Sequence, residues 1–166
     1  DGKDGKTIWE VGAGGPVDSP PTYHNGTILF GSADGWVTCL RASDGKEIWR
    51  FCGAPEERLV CAFGRLESAW PVHGSVLVED NVVYCTAGRS TFLDEGIWIL
   101  ALEPKTGRLV HETRLDTRSP TRQDAEGKPF IPSYHIEGSH SDILVSEGDF
   151  IYLTQMKFDS KLAKQD

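Results

Sequence analysis

The sequence predicts an all-β fold built from repeated four-stranded antiparallel sheets, and three observations carry that prediction. First, short runs rich in Val, Ile, Leu, Tyr and Trp recur at 27–30, 36–40, 47–51, 75–78, 82–86, 97–102, 143–145 and 150–153. Apolar spacing of three and four, the mark of an amphipathic helix, is almost absent. Second, the runs are punctuated by Asn25-Gly26, Asp34-Gly35, Asp44-Gly45 and Thr106-Gly107, the dipeptides that close tight hairpins. Third, the runs are copies of one another. Asn25-Gly26-Thr27-Ile28-Leu29-Phe30 aligns with Asp80-Asn81-Val82-Val83-Tyr84-Cys85 and with Gly148-Asp149-Phe150-Ile151-Tyr152-Leu153. A second segment carries Gly, a cation, two residues and a large ring: Gly5-Lys6 with Trp9, Gly45-Lys46 with Trp49, Gly107-Arg108 with His111. Forty residues separate Trp9 from Trp49, and 62 separate Trp49 from His111. A base period of ~40 residues with four strands per unit is the pattern of a β-propeller blade.

Taken in order, residues 7–12 are expected to form the last strand of one blade. Residues 19–51 form a complete blade, 74–114 a second, and 141–155 the first strands of a third. Pro20 and Pro21 fall in the innermost strand of the first complete blade, an edge position where a missing N–H is tolerated. About two and a half blades cannot close a ring that needs at least four. The expectation is an internal or processed piece of a longer protein, with the remaining blades of that parent as neighbours.

Composition narrows the partners. The formal net charge is −8, from 25 Asp and Glu against 17 Lys and Arg. No basic stripe offers the clustered cations that hold a nucleic-acid backbone. The longest apolar stretch, 97–102, is far short of the ~20 residues of a membrane helix. Cys39 and Cys85 fall within predicted strands and read as small buried hydrophobes. Cys52 and Cys61 flank a loop that a disulfide would close in an oxidising compartment.

The segment Ala101-Leu102-Glu103-Pro104-Lys105-Thr106-Gly107-Arg108-Leu109-Val110-His111 resembles the docking motif of the pyrroloquinoline-quinone (PQQ)-type propeller repeat, Ala-x-Asp-x-x-Thr-Gly-Lys-x-x-Trp. Glu103, Arg108 and His111 stand where that motif has Asp, Lys and Trp. The copy ending at Trp49 keeps Gly45, Lys46 and Trp49; the copy ending at Trp9 keeps Asp1, Gly5, Lys6 and Trp9. The resemblance spans nearly the whole chain and implies a ring of seven or eight blades. In it, Trp9, Trp49 and His111 are structural docking residues packed between blades, with Gly45 and Gly107 supplying the turns. It also implies a periplasmic or secreted location. Quinoprotein dehydrogenases of this repeat class bind PQQ with calcium, but none of their site motifs or their adjacent cysteine pair is matched here. Other members serve as scaffolds without a quinone, so no cofactor is expected; PQQ with calcium in a full-length parent is the alternative.

Three insertions mark where function would sit. Residues 52–71 and 115–140 lengthen the links between blades, and 89–95 lengthens a loop between second and third strands. In a propeller these two loop classes emerge on one rim, opposite the Gly45 and Gly107 turns. The candidate ligand-binding residues are therefore Arg65, Glu67, His73, Arg89, His135 and His140, a set suited to a protein or a polymeric or small polar ligand. The competing interpretation is a set of solvated loop charges. His135, Glu137 and His140 do not have a recognised zinc spacing, so no metal is assigned. The two functional readings are a non-catalytic scaffold or binding module acting through this rim, and a fragment of a PQQ-dependent oxidoreductase whose catalytic residues lie in missing blades.

Overall fold

The structure, a computed structural model, describes residues 3–62, 64–116, 125–127 and 143–165. Among these residues the regular structure is entirely β. The first sheet is β1 (Thr22–His24), β2 (Thr27–Gly31), β3 (Trp36–Arg41) and β4 (Glu47–Cys52), antiparallel and in chain order. A separate hairpin follows, β5 (Leu59–Ala62) and β6 (Arg65–Ser68). The second sheet is β7 (Leu77–Glu79), β8 (Val82–Ala87), β9 (Ile97–Leu102) and β10 (Leu109–Leu115). The third is β11 (Leu144–Glu147), β12 (Phe150–Leu153), β13 (Met156–Asp159) and β14 (Lys164–Gln165). Innermost strand β7 lies against β1 on one side and β11 on the other.

Local chemistry closes the hairpins as the dipeptides predict. Between β1 and β2, Asn25 and Gly26 have φ of 44° and 81°. Between β7 and β8, Asp80 and Asn81 have φ of 46° and 59°. Two successive positive-φ residues match the right-handed twist of the flanking strands.

Alternation then gives the first and third sheets one core face each and the second sheet two. Leu29, Val37, Cys39 and Trp49 from the first sheet share one core with Val83, Cys85, Leu100 and Leu102 from the second. From the second sheet's other face, Tyr84, Ile99 and Ala101 pack with Leu144, Ile151, Leu153, Met156, Phe158 and Leu162 of the third.

Four expectations need correction. Residues 7–12 form no strand, because the described residues hold no sheet beside which they could pair. Pro20 and Pro21 precede β1, which begins at Thr22 where backbone N–H groups become available for pairing. The 52–71 insertion is partly a β-hairpin rather than a plain loop. The third unit has all four strands. Its last turn lacks the Gly-cation signal because Leu162 itself takes a φ of 63° and buries its side chain.

Candidate functional site

Each sheet has two ends, and they do different things. At one end lie the turns between third and fourth strands. Gly45 and Gly107 both have φ of 70°, and the missing side chain matters as much as the dihedral. A Cβ on Gly45 would sit 2.7 Å from Trp9 Cε3, and one on Gly107 would sit 2.5 Å from Trp49 Cε3. The indole of one unit lies flat on the glycine turn of the next. Trp9 Nε1 donates to the Ala42 carbonyl at 2.9 Å, and Trp49 Nε1 donates to the Pro104 carbonyl at 2.8 Å. Trp49 is only 7% exposed.

At the third unit the equivalent carbonyl is Ser160, and Tyr84 Oη donates to it at 3.1 Å. The three acceptors occupy one place in the turn: Ala42, Pro104 and Ser160 each follow the residue whose N–H is bonded by Lys46, Arg108 or Ala163 O. Tyr84, Ala101 and His111 lie in one row across β8, β9 and β10. The donor thus comes from two strands inward of His111, reaching past the small Ala101. His111 is half-buried in the same row.

The opposite end carries the rim. The base of the β5–β6 hairpin is tied to the β2–β3 loop, with Ser68 N donating to Ala33 O at 2.9 Å and Val72 N donating to Ser32 O at 3.1 Å. Arg58 crosses to the β8–β9 loop, its Nη2 donating to Asp94 Oδ1 at 2.9 Å. Arg89 Nη2 holds the other oxygen, Asp94 Oδ2, at 2.7 Å. One carboxylate therefore joins two of the three insertions.

Guanidinium groups also cover rim aromatics: Arg58 lies 4.6 Å from the Trp70 ring centroid, Arg50 lies 4.5 Å from Trp36, and Arg114 lies 5.8 Å from Trp98. Arg50 is paired with Asp34 at 3.5 Å, and Arg114 with Glu95 and Asp116 at 3.6 Å. A ring face covered by a paired cation is not free to stack on a sugar.

Nearer the innermost strands, His73 stands between two carboxylates. Its Nδ1 lies 2.7 Å from Asp18 Oδ2 and its Nε2 lies 3.7 Å from Glu67 Oε2.

Of the residues singled out from sequence, Glu67 and His73 are in contact, and Arg89 is linked to the 52–71 insertion through Asp94 and Arg58. Arg65 sits at the exposed tip of the hairpin, opposite Ala62. His135 and His140 lie outside the described residues. Arg58 and Asp94 lie in the insertions that the sequence singles out, though outside the candidate set; Asp18 and Tyr84 are the participants that sequence reasoning missed. Asp18 was findable: Val17-Asp18 stands before β1 as Val72-His73 stands before β7. Tyr84 was not, because its role depends on which strand faces the next sheet. Cys52 and Cys61 are not joined: Cys61 is exposed on the hairpin, and Cys52 Sγ donates to Ala54 O at 3.6 Å.

A family model described as outer membrane protein assembly factor BamB matches residues 1–129. The chain belongs to this family. Over 50 residues it is 34% identical to the outer membrane protein assembly factor BamB of Burkholderia pseudomallei (strain K96243), covering 30% of this chain and 13% of that protein. The structure of BamB from Moraxella catarrhalis superposes with a TM-score of 0.55 and 13% identity, over 99% of this chain and 55% of that one. The quinohemoprotein alcohol dehydrogenase from Comamonas testosteroni superposes at 0.50 with 18% identity, over 68% and 15%. At such identities the structural likeness shows the β-propeller fold. The chain spans about half the length of the Moraxella BamB structure, and a smaller part of the other two.

Proposed function

We propose that this BamB-family chain is a non-catalytic propeller scaffold whose rim, formed among the described residues by 52–71 and 89–95 and expected from sequence to include 115–140, contacts a protein partner in outer membrane protein assembly. The observation that carries the reading is the cross-tied rim. Arg58, Asp94 and Arg89 lock two insertions into one surface, where a surface loop with no role would need no such ties. The paired guanidinium over each of three indoles favours a protein contact over a carbohydrate one. The family's assembly role supports a periplasmic location, and the sequence-level expectation of no quinone belongs to the same proposal. Among the described residues, no group of three or more His, Cys, Asp or Glu is placed to hold a metal ion.

The test is site-specific photocrosslinking in the periplasm, with the reactive group at Arg65 or Leu66 on the rim and at Ile48 or Lys105 on the opposite end. Adducts with an outer-membrane assembly protein from the rim positions only are the expected result. Adducts from the opposite end alone would overturn the assignment of the rim. Titration with PQQ and calcium is expected to show no saturable binding; stoichiometric binding would favour the oxidoreductase alternative.

A further inference from the structure

Both ring nitrogens of His73 face carboxylate oxygens, Asp18 on one side and Glu67 on the other. A neutral imidazole has a single N–H, so one of those carboxylates would face a nitrogen lone pair; an imidazolium turns an N–H toward each, hydrogen-bonding Asp18 and facing Glu67 at ion-pair distance. The two acids differ in their access to water. The Asp18 side chain is 49% exposed, whereas that of Glu67 is 8% exposed. Among the described residues His73 is the basic side chain within ion-pair distance of Glu67. A buried carboxylate without a positive partner is costly. Arg65, two residues away on the same face of β6, is exposed and pairs with neither acid, and the His73 segment brings no other charge. The three side chains come from three separate pieces of chain: the strap before β1, the β6 strand of the inserted hairpin, and the entry to β7.

We propose that Asp18, His73 and Glu67 form a proton-dependent clasp that holds the β5–β6 hairpin against the entrance to the innermost strands. Histidine ordinarily changes charge between pH 5 and 8. Protonated, His73 binds both carboxylates and fastens the hairpin to the strap. Neutral, it keeps Asp18 and leaves Glu67 buried against a lone pair, so the Glu67 end of the hairpin moves toward water. The sign follows from the donors: the stabilisation is present at low pH and is lost as pH rises. The backbone bonds of Ser68 and Ala69 hold the hairpin's base at either pH, so the opening is local. The clasp stands whether or not the rim binds a partner.

Hydrogen exchange of the 59–68 amides in the full chain, corrected for intrinsic rates, tests it at pH 5 and pH 8. Protection in the wild type is expected to be about tenfold greater at pH 5, a difference of about 1.4 kcal/mol. H73Q and E67Q should each abolish that difference, and H73R, charged at both pH values, should keep the hairpin protected at both. Tryptophan fluorescence reports whether each variant is folded, and E67Q decides the matter if H73Q is not. A wild-type hairpin with equal protection at the two pH values would overturn the clasp, as would an unchanged difference in E67Q.

Discussion

Replacing Trp49 by Ala removes the indole that seals the first sheet onto the second, and the cost can be worked from its contacts. The ring is 7% exposed, lies on Gly107 and donates to Pro104 O at 2.8 Å. Truncating a buried Trp costs about 3–5 kcal/mol, which includes the hydrogen bond. Trp49→Phe keeps a ring in place but strands the Pro104 carbonyl, a loss of about 1–3 kcal/mol. Gly107→Ala acts from the other side of the same contact. Its φ of 70° costs an L-residue about 1–2 kcal/mol, and the new methyl would press on the indole at 2.5 Å. The clash needs the ring, so it disappears when the ring does. In urea unfolding, Trp49→Ala combined with Gly107→Ala should therefore cost less than the sum of the two single changes, with the deficit in the 0.5–3 kcal/mol range seen for touching residues. Strict additivity, or a Trp49→Ala midpoint equal to wild type, would refute the docking geometry.

Three further outcomes are expected. Tyr84→Phe should lower stability by about 1 kcal/mol, because the Ser160 carbonyl loses its donor; Tyr152→Phe, measured beside it by thermal unfolding, should not. Stability should fall at alkaline pH. Burial pushes the Cys85 thiol up to about 12, while an unfolded cysteine ionises near ~8.5. The native state therefore holds its proton more tightly; stability is intact below the unfolded value and drops by ~1.4 kcal/mol per pH unit above it until the folded value is reached. Tyr84 moves in the same direction, through burial and then the carboxylates of Asp80, Glu79 and Asp159, and Cys85→Ala should flatten the profile, as read by denaturant midpoints from pH 8 to 11. Finally, Asp94→Asn should change global stability by less than ~1 kcal/mol, as expected for partly exposed ion pairs, yet quicken tryptic cleavage after Arg58, which loses its anchor.

The sequence by itself determined the class of fold, the four-stranded make-up of the first two sheets and the docking turns. These depend on neighbours along the chain: alternation decides which face is apolar, and an Asn-Gly or Asp-Asn pair can adopt two positive φ values without help from elsewhere. Trp49 and Gly107 were legible for the same reason, since a repeated motif carries its inter-sheet contact with it. What failed was every feature lacking a local signal. The fourth strand of the third sheet hid behind Leu162, which takes a left-handed conformation with no glycine to announce it. Tyr84 became a docking residue only because Ala101 leaves room for it to reach the next sheet. Connectivity alone brought 52–71 and 89–95 to one end, but not their pairings: Arg58, rather than Arg65, spans these two insertions, and Asp18 meets His73 across 55 residues of chain. Long side chains on insertions have no periodicity to constrain them. Their partners are chosen by which loops the radial stacking of sheets brings together, and only the tertiary structure decides that.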